Sequence, residues 1–311
     1  MEITVVIPIF NRGDIFKPTF DSVVAQSHRP IHLVLVDNNS TDNTLEVLQQ
    51  LKVKNESDDF KITVLTESVK GASAARNRGL GVTKTEWMLF FDSDDLMHPS
   101  LLSRYAELAN DGVDMVISRN TRRELSGEVT ELPFYQHNLL VNHLSHSVLR
   151  TNAYMLRTDL ARVVGGWNVE LPSWNDWEFG TRLLLQSPKL AFITDMPLVD
   201  MIAQRESITG VGYSDRSECW ERSLDAVVAD VQQSNYKDKR RVLLLLEFVR
   251  IRLAGIYSSE GSEKGRTLYQ ETIKQCQANA VMKCIFRCSY HYVARGGRGV
   301  THPIKFLISY F

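Results

Sequence analysis

The sequence predicts an α/β fold, in which a largely parallel sheet is covered by helices, followed by a helical C-terminal region. Short runs of β-branched and aromatic residues alternate with longer segments of helical spacing, and after Asp215 the pattern is almost wholly helical. Alternating strands and helices indicate a parallel sheet, because a parallel connection must cross over the sheet. The length of 311 residues allows one large domain or two ordinary ones.

The individual elements follow from this alternation. The predicted strands are 3–9, 31–37, 61–65, 87–91 and 113–117. The predicted helices between them are 15–26, 42–52, 72–82 and 101–109, and those of the C-terminal region are 217–231, 238–257, 262–279 and 281–295. Ser40 and Asp42 suit the N-cap and first turn of the second helix, and Pro99 suits the first turn of the fourth.

Composition narrows the functional classes. The 36 Lys and Arg nearly balance the 37 Asp and Glu, so we expect no nucleic-acid partner. Four cysteines are too few for a disulfide scaffold and fit free thiols in a reducing compartment. The most apolar run, 242–256, contains Glu247, Arg250 and Arg252, which argues against a membrane span. The N-terminus lacks a basic leader, so we expect a cytoplasmic protein.

Three acids follow the fourth predicted strand, at Asp92, Asp94 and Asp95, with Ser93 between them. Like charges so close raise one another's pKa unless a cation compensates, so this turn predicts a metal or a bound polyol. Open α/β sheets bind ligands beyond the carboxyl ends of their strands, which favours this interpretation. The alternative is a solvated acidic turn.

Three further polar segments, 8–12, 36–42 and 71–79, occupy comparable positions beside other predicted strands. Together with the acidic turn they resemble family 2 glycosyltransferases of the GT-A fold, and the resemblance covers roughly 3–185. It implies a Rossmann-like mixed sheet flanked by helices. We expect a GT-A domain at 1–215, with a nucleotide-binding half at about 1–118 and an acceptor-binding half at about 119–215, and a helical region at 216–311.

The resemblance also implies roles for single residues. Asp94 matches the family's ligand for a divalent metal, Mn²⁺ or Mg²⁺, which stabilises the charge that develops on the departing diphosphate. Asp37 matches an acid that contacts the base or ribose, Asp92 one that contacts the ribose, and Arg76 a cation near the base and diphosphate. The implied nucleotide-sugar site consists of Pro8, Phe10, Asn11, Asp37, Arg76, Asp92 and Ser93.

Transfer to a hydroxyl also needs a carboxylate base on the acceptor side. Segments 165–168 and 173–178 resemble the family's acceptor-side element, in which Asp176 matches the base. Asn175 departs from the usual first acid, and Glu178 is the substitute candidate for the base. Trp174 and Trp177 are candidate acceptor contacts through their flat faces, with core packing as an equally weighted alternative.

The resemblance implies an inverting, metal-dependent transfer of a sugar from a nucleoside-diphosphate sugar, with a UDP-sugar as the expected donor, to a hydroxyl of a saccharide or lipid-linked saccharide. Surface-polysaccharide or glycoconjugate synthesis is the expected setting. A nucleotidyltransferase and a non-catalytic nucleotide-sugar-binding protein remain alternatives. A nicotinamide dehydrogenase is excluded, because no Gly-X-Gly-X-X-Gly turn follows the first strand.

The end of the chain is basic and aromatic, with no acid after Glu271. Such a segment can lie on an anionic membrane, so peripheral contact with the inner face of the cell membrane is one hypothesis. The alternative is that its apolar side chains pack inside the helical region. The cations are Lys274, Lys283, Arg287, Arg295, Arg298 and Lys305, and the apolar residues are Ile285, Phe286, Tyr290, Tyr292, Phe306, Leu307, Ile308, Tyr310 and Phe311.

Overall fold

The structure is a computed structural model that describes residues 1–13, 15–204 and 212–308. It divides into two compact units, each assembled from three stretches of chain. The sheet unit consists of Met1–Gln136, Val148–Glu170 and Ser187–Arg205, and the helical unit consists of His137–Ser147, Leu171–Gln186 and Glu206–Phe311. Segments 137–147 and 171–186, which the sequence assigns to the acceptor-binding half, thus group with the C-terminal helices. The domain boundary at 215 stays a prediction.

The sheet unit contains every strand that the described residues form. The strands are β1 Ile3–Ile9, β2 Ile31–Asp37, β3 Phe60–Thr66, β4 Trp87–Phe90, β5 Leu96–Met97, β6 Met115–Arg123, β7 Val129–Glu131, β8 Tyr154–Arg157 and β9 Leu190–Ile202. The helices of this unit are α1 Lys17–Val24, α2 Thr44–Asn55, α3 Ala72–Val82, α4 Leu101–Leu108 and α6 Thr158–Val163. The helical unit holds α5 Leu139–His146, α7 Asn175–Leu185, α8 Ser217–Gln233, α9 Lys239–Ser259, α10 Glu263–Gln275, α11 Ala280–Val293 and α12 Thr301–Ile308.

The strands form one mixed sheet in the order β3-β2-β1-β4-β8-β6-β9-β5, with β7 paired to β6. The first four strands of this order are parallel, as the alternation of strands and helices predicts. The short strand β8 runs antiparallel to both β4 and β6, and β9 is parallel to β6. The expected fold class, a mixed sheet flanked by helices with a helical C-terminal region, is therefore confirmed.

Strand β1 lies at the centre of the parallel half and is buried along its whole length. Val5 and Ile7 belong to the main apolar core with Phe20 of α1. Val6 points to the opposite face, where a Cβ at Gly79 of α3 would lie 2.3 Å from its Cγ1, so only glycine lets α3 pack this closely. The chain crosses to β2 on one side of β1 and reaches β4 on the other, so β1 and β4 flank a switch point, where such sheets bind ligands.

The helical unit is built around α9, which packs against α8, α10, α11 and α12. Within it α5 packs on α7 and α9, and α7 packs on α8, which explains why these two inner segments join the C-terminal helices. Among the described residues, no helix combines the length and the apolar character that crossing a bilayer requires.

Candidate active site

Four loops of the sheet unit meet at the carboxyl edge of the parallel strands. The loop after β1 contacts the loop after β2, since the N–H of Asn11 donates to Ser40 Oγ at 2.9 Å. Its next residue, Arg12, reaches Asp94 at 3.4 Å. On the other side, Arg76 of α3 pairs with Asp92 at 2.6 Å. The four segments singled out in the sequence therefore converge on one surface.

The loop after β1 is hydrogen-bonded to the loop after β2 and carries one exposed aromatic ring. Pro8 lies inside β1, opposite Val36, and is buried. Asn11 adopts a left-handed backbone with φ of 49°, and its Oδ1 accepts the N–H of Thr41 at 2.8 Å. Phe10 is 53% exposed at the same edge, so its face is open to a ligand.

The loop after β2 carries a buried acid with spare hydrogen-bonding capacity. Asp37 is 4% exposed, and its Oδ2 accepts the N–H of Ser40 at 3.3 Å. Its Oδ1 is buried and accepts no hydrogen bond from the described residues. The neighbouring Asn38 ties this loop to the start of α3, because its Oδ1 accepts the N–H of Gly71 at 2.7 Å. Asp37 is thus held in place with one acceptor atom unused.

Arg76 is a buried cation with most of its donors unused. It is 5% exposed, donates from Nη2 to Asp92, and lies over the ring of Trp167 with Cζ 4.3 Å from the ring centroid. Its Nε and Nη1 are buried and find no acceptor in the part of the chain that the structure describes. An unmatched buried donor is costly, and such groups commonly mark a place where a ligand supplies the missing acceptor.

The acid turn, residues 92–95, follows β4. Burial and the charge of Asp92 raise the pKa of Asp94 above its usual range, against the opposing effect of the Arg12 guanidinium. Burial, with the charges of Asp92 and Asp94, raises the pKa of Asp95 to about 8. Ser93 contributes a main-chain contact, as its carbonyl accepts the hydroxyl of Thr19 at 3.1 Å. The turn therefore combines three carboxyl groups with two arginine partners.

This donor set fits a divalent cation shared with a phosphate ligand. Mg²⁺ and Mn²⁺ bind oxygen, and in nucleotide sites one or two carboxylates suffice because phosphate oxygens supply further ligands. The described residues contain no group of three or more His, Cys, Asp or Glu side chains that could hold a metal unaided. Asp94, at 24% side-chain exposure, and Asp92, at 28%, are the carboxylates of this turn that remain accessible for that role.

Two residues of this site are absent from the predicted set. Asn152 is fully buried and binds both Asp92 and Asp95, although a single Asn in an irregular stretch carries no sequence signal. Trp167 stands in the segment that the sequence assigns to the acceptor side, yet it lies under Arg76 in the sheet unit. Asn77 holds it there, because its Oδ1 accepts the N–H of Trp167 at 2.8 Å and its Nδ2 donates to the Trp167 carbonyl.

The predicted base lies in the helical unit. Asp176 is in the first turn of α7, and its Oδ1 accepts the N–H of Trp177 at 2.8 Å. Glu178, the substitute candidate, is 1% exposed and forms an ion pair with Arg182, with Nη2 2.8 Å from Oε2. A carboxylate that is buried and paired in this way is poorly suited to take a proton from a substrate, which leaves Asp176 as the better candidate.

The two candidate acceptor contacts differ in exposure. Trp177 is 4% exposed, and its indole N–H donates to the carbonyl of His143 at 3.2 Å, which favours the packing alternative for this ring. Trp174 is half-buried in a left-handed conformation with φ of 51°, and its ring lies 5.1 Å from that of Trp220. Contact with an acceptor stays a prediction for both rings.

Comparison with solved structures finds the same architecture elsewhere. S. aureus TarS residues 1–349 in complex with UDP-GlcNAc superposes with a TM-score of 0.71 at 18% identity, over 99% of this chain and 91% of that one. The mannosyltransferase PcManGT of Pyrobaculum calidifontis, in complex with GDP-Man and Mn²⁺, gives 0.57 at 15% identity, over 99% and 84%. At these identities the likeness concerns the fold.

Comparison of sequences identifies the family. Glycosyltransferase GlyG of Streptococcus pneumoniae serotype 4 is 32% identical over 117 residues, which are 37% of this chain and 38% of GlyG. The poly(ribitol-phosphate) β-glucosyltransferase of Bacillus spizizenii is 35% identical over 109 residues, 34% of this chain and 17% of that enzyme. The chain thus matches well under half the length of these relatives. The model of glycosyl transferase family 2 matches residues 4–161, about half of the chain, and the chain belongs to this family.

Proposed function

We propose that the chain transfers a sugar from a UDP-sugar to a hydroxyl group of a saccharide or lipid-linked saccharide, with inversion at the anomeric carbon. The observation that carries this proposal is that three buried polar atoms of the site, Nε and Nη1 of Arg76 and Oδ1 of Asp37, have no partner among the described residues. A nucleoside diphosphate complements both residues, since its phosphate oxygens accept from a guanidinium and its base or ribose donates to a carboxylate.

The comparisons support the choice of substrates. TarS has been solved with UDP and with UDP-GlcNAc, which favours a uridine nucleotide. Another relative, from Campylobacter jejuni, is a GalNAc(5)-diNAcBac-PP-undecaprenol β-1,3-glucosyltransferase. It is 27% identical to this chain over 137 residues. That likeness favours a lipid-linked acceptor and a setting in surface-polysaccharide or glycoconjugate synthesis.

Each residue of the candidate site has a separate role in the proposed transfer. Asp94 would hold Mn²⁺ or Mg²⁺, which supplies charge stabilisation to the departing diphosphate when bound. Arg76 binds the diphosphate, and Asp37 and Asp92 bind the nucleoside. Asp176 takes the proton from the acceptor hydroxyl. The residues assigned above supply one base and no nucleophile that would attack the sugar. This favours a single displacement, which inverts the anomeric centre.

We also propose acceptor contact through Trp174 and peripheral contact with the inner face of the cell membrane through the basic C-terminal helices. Trp174 keeps part of its ring accessible, as a sugar-binding aromatic requires. The exposed cations Arg287, Arg295 and Arg298 suit an anionic lipid surface. The aromatic residues contribute less, because Phe286 is buried.

The test is turnover of UDP-sugars with Mn²⁺ in the absence and presence of acceptor. A glycosyltransferase releases UDP, a nucleotidyltransferase would release the sugar 1-phosphate because it transfers the uridylyl group, and a non-catalytic binding protein would release neither. The matched variant is Asp94→Asn, which keeps shape but removes the charge that attracts the cation. We expect Mn²⁺ to strengthen UDP binding by the wild-type protein and to have no effect on this variant. Release of the sugar 1-phosphate, or of nothing with any UDP-sugar and acceptor, would contradict the proposal.

A further inference from the structure

The acid turn is held from behind by Asn152, which lies in a short 3₁₀ turn before β8 and has no exposed surface. Its Oδ1 accepts the N–H of Asp92 at 2.7 Å, and its Nδ2 donates to Oδ2 of Asp95. The other oxygen of Asp95 accepts the N–H of Ile202, at the end of β9, at 2.8 Å. Hydrogen bonds therefore run without a break from β9 through the acid turn to the start of β8.

The chemistry of position 152 is demanding. The side chain must accept a hydrogen bond from a main-chain N–H and donate another to a carboxylate, and a carboxamide does both. Water cannot substitute for a lost bond in a site without exposed surface, so each loss leaves a buried polar group unmatched. Position 95 has the opposite requirement, since it must accept from both Asn152 and Ile202.

We infer that Asn152 is a positioning residue for the donor's diphosphate and its cation, acting through the backbone of the acid turn. Asp92 is fixed at two points, with its carboxylate on Arg76 and its N–H on Asn152. Loss of the hydrogen bond from the Asp92 N–H to Asn152 would let the turn rotate, which would displace both Asp92 and Asp94. Displacements of about 1 Å at such a site can cost about a hundredfold in function. This inference rests on the proposed function.

The test exchanges the side chains of Asn152 and Asp95. In Asn152→Asp alone, two carboxyl groups oppose each other, and the hydrogen bond that Asn152 Nδ2 donates to Asp95 is lost. In Asp95→Asn alone, the new amide group must turn its NH₂ toward Ile202 N–H or Asn152 Nδ2, both of which are donors. The combined variant restores every bond, because the new carboxamide at position 95 donates to the new carboxylate at position 152 while its oxygen accepts from Ile202.

The measured quantity is the gain in UDP affinity that Mn²⁺ produces, determined by calorimetry. We expect each single variant to lose about tenfold or more of this gain, and the combined variant to recover it to within about threefold, as coupled neighbours do in a double-mutant cycle. Affinity for UDP without metal should fall by less than this gain, because Arg76 and Asp37 lie outside the acid turn. If Asn152 contributed to stability alone, the single variants would melt at lower temperature and would keep the full gain from Mn²⁺.

Thr158→Val is the matched control, as Thr158 lies directly after β8 and its buried hydroxyl donates to the Thr85 carbonyl at 2.7 Å. We expect it to lower the melting temperature and to keep the full gain from Mn²⁺. The inference is overturned if both single variants keep the gain, if the control loses it equally, or if the combined variant does not recover it. If the single variants do not fold, the combined variant by itself provides the test of the inference. If Mn²⁺ does not change the affinity of the wild-type protein for UDP, the proposed function and this inference are both overturned.

Discussion

At the scale of single residues, the site pairs two cations with the acid turn and leaves part of one cation free. Arg12 contacts Asp94 and Arg76 contacts Asp92, so each arginine neutralises one acid. Arg76 alone is both buried and stacked on an aromatic ring, which holds its plane in one orientation. Its unused donors form a preorganised receptor for an anion.

Replacing Arg76 by lysine tests this receptor, since Arg76→Lys keeps the positive charge but loses the planar set of donors. We expect the affinity for UDP in the presence of a chelator to fall about tenfold or more, because the Lys ammonium acts as a point charge instead of a fork. Calorimetry measures this change. Arg78→Lys, at an exposed position of the same helix, is the control and should bind as the wild type does. Equal losses in both variants would contradict a specific role for Arg76.

Asp176→Asn tests the proposed base. The variant keeps the shape of the side chain and an acceptor oxygen for the Trp177 N–H, but it cannot accept a proton from the acceptor. We expect the transfer rate to fall by about 10²–10⁴, as is typical when a general base is lost, while the affinity for UDP stays unchanged. Transfer at a near-normal rate would move the role to another residue.

At the scale of elements, α7 and α8 face each other through a buried charge cluster. Glu178 and Arg182 of α7 form an ion pair, and Asp230 of α8 lies beside them. Burial and the charge of Glu178 raise the pKa of Asp230 to about 6, against the opposing effect of Arg182. Two carboxyl groups thus share one guanidinium, so a proton on Asp230 stabilises the folded helical unit.

The pH dependence of stability follows from the sign of this shift. Asp230 has a folded pKa above its unfolded value, so its protonation stabilises the fold fully below the unfolded pKa of about 3.8 and no longer does so above about 6. We expect Asp230→Asn to be more stable than the wild type at pH 8, by about 1 kcal/mol after allowance for solvent screening, and the difference to shrink toward pH 5. Urea denaturation at both pH values measures it.

The control for this experiment is Asp225→Asn in the same helix. Asp225 is 65% exposed and forms an ion pair with Arg250 at 2.5 Å, so its replacement should lower stability slightly at both pH values. A stability difference between Asp230→Asn and wild type that is the same at pH 5 and pH 8 would contradict the assigned titration.

The elements also show which features a sequence reveals. Strands β1 and β2 and helices α3 and α9 are long enough for their apolar spacing to be read, and they lie where that spacing predicts. Strands β5, β7 and β8 have two to four residues, too few to display a period. In the site, the sequence reveals the acids after β4 because they end a buried strand. It does not reveal Asn152, because the partners of Asn152 are set by the pairing of β8 with β4, which no local pattern encodes.

At the scale of the whole molecule, charge is distributed unevenly along the chain. The residues after Glu271 include six Lys and Arg and no Asp or Glu, so with a total of −1 the preceding residues carry −7. In the structure, Lys274, Arg287, Arg295 and Arg298 are exposed, whereas Lys283 and Lys305 are half-buried. The basic end of the chain therefore presents most of its charge to solvent.

The apolar residues of this end are arranged differently from the cations. Phe286 has no exposed surface, Tyr290 is 6% exposed, and Ile308 of α12 is 2% exposed, as the packing alternative predicts. Tyr292 is half exposed. The side chain of Phe306, together with Tyr310 and Phe311, lies outside the described residues. Contact with a membrane through this region would thus depend mainly on charge, and would be sensitive to salt.

This arrangement makes charge removal a sharper test of membrane contact than deletion of the last residues, because deletion before His302 would also remove the buried Ile304 and Ile308. We expect the triple variant Arg287→Gln, Arg295→Gln and Arg298→Gln to bind anionic liposomes about a hundredfold more weakly than the wild type. Each cation near such a surface contributes roughly 1 kcal/mol. Sedimentation at low and physiological salt measures binding.

The control variant removes three exposed cations from elsewhere in the helical unit, with Arg222→Gln, Lys237→Gln and Arg240→Gln. Both triple variants change the net charge of the chain equally, so a general attraction between protein and lipid would be weakened equally in both. Contact through the C-terminal helices requires that only the first variant lose binding, and that added salt release the wild type. Equal binding by all three proteins, or wild type that stays in the supernatant at both salt concentrations, would show that this basic region does not hold the protein on a membrane.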